Sequence, residues 1–272
     1  MLVISTLRKF QNRVPLLWAY ATQSKVINPI PNNIPLPNEE YFICGILRGS
    51  GDMFKRCLEG GYPFYYADHA YLYNDSHKKY FCYRITKNWH SNYEIVKRPP
   101  DRYEKFKKLE VCDWHSNNPN HILICPPSIH IQQFNNDYDW LEKTIQTIKK
   151  NTDRKILIRE KTINNSENLK SISIKSKLNE EYSNNSLEND LENAWCVVTY
   201  NSMVAIEALI RGVPVFTDTK MSAAFKMAEN DFARIESPYY PENRMEFLYH
   251  LSYSQFTVHE IASGEAYRIL NS

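Results

Sequence analysis

No apolar run in this chain reaches the roughly 20 residues needed to span a bilayer. The N-terminus, MLVISTLRKFQNRVPLL, has an early Arg-Lys pair and no clear small-residue cleavage site, so a cytoplasmic protein without a membrane span is expected. Cysteine is sparse and scattered: Cys44, Cys57, Cys82, Cys112, Cys125 and Cys196 sit mostly inside apolar runs, which argues against a disulfide framework and against a closed metal site. Cys112 with His115 is the nearest approach to a metal half-site and has no second pair, so no metal is expected. An excess of one charge is also lacking. With 33 Lys and Arg against 31 Asp and Glu, the net charge of +2 leaves no global nucleic-acid footprint. What is present is an ordinary globular composition, 43% hydrophobic and 24% charged, in 272 residues, enough for one large or two modest domains.

Strand-like and helix-like stretches alternate. EYFICGIL reads as a strand, RGSG as a tight loop, DMFKRCLEGG as a helix with a glycine stop, and YPFYYAD as a second strand ending at Asp68. DRYEKFKKLEV follows Pro99-Pro100 and is expected to be helical. The series then restarts, with HILICPPS a strand, YDWLEKTIQTIKKNT an amphipathic helix and RKILIREK a strand. After a stretch rich in Asn, Ser, Glu and Lys, a helix is expected near LENDLENA and a strand over WCVVTY. Such alternation predicts an α/β protein of two Rossmann-like domains facing a cleft, over residues 1–117 and 118–272, with the C-terminal segment free to return to the first. The boundary falls in HSNNPNH, which has linker composition.

VVTYNSMVAIEALIRGVPVFTD carries the most chemistry. Its apolar strand stops at Thr199-Tyr200-Asn201-Ser202 and a helical pattern begins at once, so unpaired amides and the positive end of a helix dipole converge beside a hydroxyl. That arrangement suits a phosphate; a plain helix cap has the same spacing. Arg159 and Lys161 alternate at a strand end and so share a face suited to an anionic ligand, or are surface charge. Arg48, Gly49 and Ser50 of RGSG could approach a ligand closely or form a tight turn with none. Asp68 ends a strand among aromatic residues that would raise a carboxylate's pKa, which makes it the candidate general base, with His69 next. A turn or cap residue is the other reading of Asp68.

The segment VVTYNSMVAIEALIRGVPVF resembles the nucleotide-binding segment of GT-B glycosyltransferases, most closely capsule polysaccharide and Kdo-transferase-like enzymes, with their strand, Asn-Ser, Glu-Ala-Leu helix and Gly-x-Pro-Val. YYADHAYLYND is similar to the Asp-containing turn of their acceptor domain, with His69-Ala70 in place of Thr-Gly, and Arg159-Glu160-Lys161 stands where those enzymes carry Lys-x-His-Pro. The combination of ILRGSGDMF, YFCYRITKNWH and SYSQFTVHEIASG resembles compact phage-type DNA-modifying glycosyltransferases. The resemblance implies a nucleotide-sugar co-substrate and no other cofactor, an acceptor domain followed by a nucleotide-sugar domain, phosphate contacts from Asn201, Ser202, Arg159 and Lys161, and a ribose contact from Glu207. It also implies a metal-independent transfer to an acceptor hydroxyl.

For the acceptor, the stretch from Arg84 to Lys108 is basic, with Arg84, Lys87, Lys97 and Arg98 among its cations and Trp89 among its aromatics. Such a segment could track a phosphate backbone and stack on a base, which points to a hydroxymethylpyrimidine in DNA. A solvated helix face with core aromatics has the same composition. The competing readings are a transferase acting on capsule or lipopolysaccharide glycan, a nucleotide-sugar epimerase of the same fold, and a non-catalytic DNA- or sugar-binding module.

Overall fold

In the computed structural model, which describes residues 1–5, 13–28, 35–47, 49–72, 82–106, 110–115, 119–161 and 180–272, contacts divide the chain into two units. One is Met1–Lys108 with Met245–Ser272, and the other is Leu109–Arg244. Both are Rossmann-like α/β units, the expected fold class of GT-B type. Among the described residues no helix is long and apolar enough to cross a membrane.

The first unit holds strands β1 (Leu2–Ile4), β2 (Lys25–Ile27), β3 (Tyr41–Cys44), β4 (Phe64–His69) and β5 (Cys82–Lys87), joined by β11 (Gln255–Thr257) from the end of the chain. Their order is β11-β5-β4-β3-β1-β2. Neighbours among β1 to β4 run parallel, whereas β5 is antiparallel to both β4 and β11. An antiparallel neighbour needs no crossover helix, and none is needed to return from β4 to β5. Helix α1 (Arg13–Thr22) lays Trp18 on the sheet, its ring centroid 4.6 Å from Phe42 and 4.9 Å from Tyr65. Helix α2 (Gly51–Gly60) buries Met53, Phe54 and Cys57 on one stripe and stops at Gly61, whose φ of 66° is the left-handed conformation glycine adopts freely. Phe54 meets Phe64 and Tyr66 edge-on at 5.3 and 5.2 Å. Burying each such side chain stabilises by about 1.5–3 kcal/mol.

The second unit holds β6 (His121–Cys125), β7 (Lys155–Ile158), β8 (Glu181–Tyr182), β9 (Ala194–Thr199) and β10 (Val215–Phe216) in an all-parallel sheet of order β10-β9-β6-β7-β8. Every residue of β6 is buried, as a central strand covered on both faces requires. The helix Trp140–Lys149 contributes Trp140, Ile145 and Ile148 to a core with Ile122, Ile124, Ile156, Ile158, Val198 and Phe216. The helix Val204–Ile210 is followed by Gly212, at φ 76°, where an added Cβ would lie 1.9 Å from the Asp113 carbonyl oxygen. Only glycine allows that approach. Residues 112–115 pair with this turn through Cys112 N–H to Ile210 O at 2.8 Å and His115 N–H to Gly212 O at 2.9 Å.

Each sheet reverses direction once. In the second, the chain runs outward from β6 through β7 to β8, then returns to the other flank of β6 for β9 and β10. In the first, β2 lies on one side of β1, and β3 and β4 lie on the other. Open parallel sheets bind ligands at the carboxyl ends of the strands flanking such a reversal. In this chain those ends are Cys125 and Thr199 in the second unit, and Ile4 and Cys44 in the first.

Candidate functional site

The reversal point of the second sheet is tied together by Thr199, whose hydroxyl donates to the Cys125 carbonyl at 2.7 Å. One strand further out, the Thr217 hydroxyl donates to the Tyr200 carbonyl at 2.9 Å. The turn Tyr200–Met203 is thereby held by both neighbouring strands. Asn201 and Ser202 are half-buried in it, and the helix begins at Val204. Ser202 Oγ accepts the Val204 N–H at 3.3 Å, a local side-chain bond one residue ahead of the cap position, which Met203 occupies. The expected strand, polar turn and helix are all present, but the first amides of the helix are not unpaired as expected: besides Val204, Ala205 donates to the Ser202 carbonyl at 3.2 Å and Ile206 to the Met203 carbonyl at 3.0 Å, because the turn closes on itself. Glu207 lies on the same helix, where its carboxylate accepts from Arg211 Nη2 at 3.2 Å; Arg211 also reaches Glu188 at 2.8 Å.

An acid that the sequence reading left without a role stands at the same sheet edge. Asp218, two residues beyond β10, accepts from the Trp140 indole N–H at 3.1 Å, and Tyr200 meets Trp140 edge-on at 5.8 Å. Desolvation raises the Asp218 carboxyl above its usual range, further than the Trp140 hydrogen bond lowers it. Its sequence signal was the one that marked Asp68, an acid just past an apolar strand.

Arg159 and Lys161 are not brought together as expected. β7 ends at Ile158, so the alternation that would place them on one face stops before either. Arg159 donates to the buried Asp190 carboxylate at 2.6 Å and to the Asn185 carbonyl at 2.8 Å, and Asp190 also accepts from the Ser183 hydroxyl at 2.7 Å. That cation is committed inside the unit, while Lys161 is exposed.

In the first unit, Asp68 lies near the carboxyl end of β4, directly opposite Arg84 in the antiparallel register with β5. Its carboxylate accepts from the Tyr66 hydroxyl at 2.6 Å, from the His69 main-chain N–H at 2.8 Å and from Arg84 Nη2 at 3.3 Å. Burial pushes the Asp68 pKa up, but Arg84, His69 and the Tyr66 hydrogen bond together outweigh it and hold the carboxyl well below its usual range. The expected upward shift is therefore corrected. The aromatic neighbour that matters does not merely exclude water, because its hydroxyl points at the carboxylate. Tyr66 is itself pushed up by burial and by Asp68, so it remains a donor. His69 is exposed next to this pair.

The turn before α2 is inward-facing. Ser50 is fully buried and its hydroxyl donates to the Gly45 carbonyl, so its side chain holds the turn from within and is closed to a ligand. Gly49 is exposed, with φ 97°. Arg48 lies outside the described residues.

The basic stretch does not form one stripe. Arg84, expected to touch the acceptor, is 2% exposed and paired with Asp68, a correction that follows from its place on an inner strand. Lys87 is exposed and donates to Asn271 Oδ1 at 2.8 Å. Trp89 is half-buried and meets Tyr93 edge-on at 6.0 Å. Lys97 and Arg98 are brought together: with Pro99, Pro100, Glu246 and Tyr249 they line a cavity of about 470 Å³. Arg98 also places its guanidinium 5.1 Å from the centre of the Tyr253 ring. Lys107 and Lys108 lie outside the described residues. Among the described residues no three of His, Cys, Asp and Glu converge to hold a metal ion.

No protein-family model and no curated protein sequence matches the chain. Solved structures do. The β-Kdo 2,4-transferase of Thermosulfurimonas dismutans KpsC aligns at a TM-score of 0.56 and 11% identity, covering 94% of this chain and 92% of that one. The β-Kdo 2,7-transferase of the same organism's KpsC aligns at a TM-score of 0.54 and 11% identity, covering 100% of this chain and 98% of that one. At that identity the likeness is one of fold, and it extends over essentially the whole of each chain.

Proposed function

We propose that the protein is a metal-independent glycosyltransferase that moves a sugar from a nucleotide-sugar donor to an acceptor hydroxyl. The observation that carries this reading is the strand–turn–helix at the reversal point of the second sheet, where the side chains of Asn201 and Ser202 lie at the head of the helix Val204–Ile210. Hydrogen-bond donors at such an edge can take the charge that develops on a leaving phosphate, which makes a metal dispensable. Glu207 is the ribose contact, with Arg211 setting its carboxylate. In the first unit, Asp68 and His69 serve the acceptor. The acceptor oxygen bonds to the anomeric carbon, the bond from that carbon to the phosphate oxygen breaks, and the acceptor proton passes to the enzyme. Held ionised, Asp68 is a weak proton acceptor, so His69 is the better-matched base and Asp68 stabilises the positive charge that accompanies transfer.

The finer reading, a hydroxymethylpyrimidine in DNA as acceptor, rests on Lys87, Trp89, Lys97 and Arg98, since Arg84 is internal. The test is a panel of UDP-, GDP- and CMP-sugars, first for thermal stabilisation and then for transfer, with EDTA present, to hydroxymethylated DNA, unmodified DNA and glycan acceptors. Stabilisation by one nucleotide class and sugar on hydroxymethylated DNA are expected. Sugar only on glycan replaces the acceptor and keeps the transferase. Activity abolished by EDTA ends the metal-independent mechanism, and stabilisation by no sugar nucleotide ends the donor assignment.

A further inference from the structure

The hydrogen bonds of Asp68 continue beyond Arg84. Arg84 Nη2, 3.3 Å from Asp68 Oδ2, is also 3.3 Å from Nε2 of His90, a ring that is 3% exposed. A guanidinium has only donors, so His90 Nε2 must accept and carries no proton. The other ring nitrogen, Nδ1, lies 3.0 Å from Ser91 Oγ and holds the proton of the neutral ring. We propose that His90 is a pH-sensing positioning residue: when neutral it accepts from Arg84 and holds the guanidinium against Asp68, and when protonated it loses that bond and loosens the carboxylate.

The ring packs against β5, β4 and α2. β5 presents Arg84, and β4 presents Asp68, already paired with Arg84, and the Tyr66 phenol, whose ring centroid is 5.1 Å away. From α2 comes the uncharged Phe54 at 6.3 Å. Tyr71, whose hydroxyl accepts the Asn92 N–H at 3.0 Å, stands 5.4 Å from the Arg84 guanidinium through its ring. Imidazolium at this place would face a buried cation across a single hydrogen-bond distance. The inference concerns the geometry of the Asp68 site, and its effect on turnover rests on the transferase reading above.

The test uses the full chain labelled with ¹³C-aspartate and ¹⁵N-histidine. His90 signals, assigned by their loss in His90→Gln, should show Nδ1 protonated and Nε2 bare near neutral pH. Near neutral pH the ¹³C shift of the Asp68 carboxylate, which reports its hydrogen bond from Arg84, should differ from wild type in His90→Leu, which cannot accept from Arg84. In His90→Gln, whose side-chain oxygen accepts without titrating, most of that change should be reversed. A ring with Nε2 protonated, or Asp68 carboxylate shifts that coincide in wild type and His90→Leu near neutral pH, overturns the proposal even if no sugar nucleotide reacts. If transfer is observed, His90→Leu should lower it about tenfold to a hundredfold, and His90→Gln should recover most of the loss while flattening the acid limb of the pH profile. An acid limb in His90→Gln identical to that of wild type overturns the sensing role. Absence of transfer by every form rejects the transferase reading and leaves the spectroscopic result to decide the relay.

Discussion

Arg102 and Glu260, 158 positions apart, face each other at 2.8 Å with side chains only 8% and 2% exposed. Arg102 also donates to the carbonyls of Ser252 and Gln255 at 3.1 and 2.6 Å, so one guanidinium ties the helix Asp101–Phe106 to the returning C-terminal chain. Glu260 is shared with Lys105 at 2.8 Å and closes the capping box of the helix Val258–Ala262 through Thr257. Removing one partner leaves a buried charge uncompensated. Glu260→Ala should therefore lower the stability of the first unit by about 3–5 kcal/mol in denaturant unfolding. Arg102→Met together with Glu260→Leu should cost less than the sum of the single changes, because they share one interaction. Strict additivity would show that the pair is not coupled.

Acid should destabilise the protein in two windows. His250, in the helix Arg244–Ser252, is 3% exposed and accepts the Val96 N–H at 3.2 Å. Burial first, and then the nearby Arg98, lower its pKa to about 4. The unfolded chain takes up that proton near the ordinary value of about 6.5, so stability is full above this window and falls as pH drops through it. Glu260 is lowered to about 2, because its hydrogen bonds from Arg102 and Lys105 outweigh burial. Its contribution is present above the ordinary value of about 4.3 and is lost as pH falls below it. Unfolding followed from pH 7 to 3 should show both declines, and His250→Phe should shrink the upper one, leaving the share of His121, whose pKa burial also lowers, and should spare the lower one. An unchanged upper decline in that variant would assign it to another group.

Donor affinity should depend on the Tyr200–Met203 turn. Ser202→Ala removes a hydroxyl that can reach phosphate oxygens, and Glu207→Ala removes the acceptor assigned to ribose. Each should weaken nucleotide-sugar binding by about tenfold to a hundredfold, the effect of losing one hydrogen bond to a charged group at ~1.5–3 kcal/mol. Calorimetric titration with the stabilising nucleotide measures this. Wild-type affinity in both variants, with intact far-ultraviolet spectra, would remove the donor site from this turn.

Turnover should separate the two residues at the end of β4. Asp68→Asn keeps the shape and removes the charge that offsets a protonated base, so turnover should fall by about two to three orders of magnitude, the scale of losing one electrostatic stabiliser of the transition state, while donor affinity stays nearly constant. His69→Ala should lower turnover by about two to four orders of magnitude, the loss of a positioned base. Full activity in His69→Ala would return the base to Asp68. Full activity in Asp68→Asn would place the chemistry elsewhere.

The alternation of strands and helices was legible because its signals are local. Apolar runs such as HILIC and CVV, bounded by Pro126-Pro127 or by Asn201-Ser202, can bury themselves only as inner strands, and Gly61 and Gly212 mark helix ends by a backbone conformation other residues resist. The polar turn before the helix Val204–Ile210 was found for the same reason. Strand ends were less visible. Lys155–Ile158 stops level with the end of β8, where Ile158 pairs with Tyr182, 24 positions away, so the alternation of Arg159 and Lys161 predicted a shared face that the sheet does not extend to supply.

Sequence alone determined that the chain makes two α/β series, where their helices stop, and that Asn201-Ser202 lies at the head of a helix, since each follows from residues within a few positions of one another. Tertiary structure alone decided what the charges do. A basic, aromatic stretch has the same composition whether it faces solvent or the core; pairing β5 against β4 set Arg84 opposite Asp68, turned an expected acceptor contact into an internal ion pair, and reversed the shift expected for the carboxyl. The pairing of Gln255–Thr257 with β5 and the meeting of Arg102 with Glu260 likewise join distant parts of the chain. Burial and charge pairing depend on which strands become neighbours, and that is a property of the folded sheet as a whole.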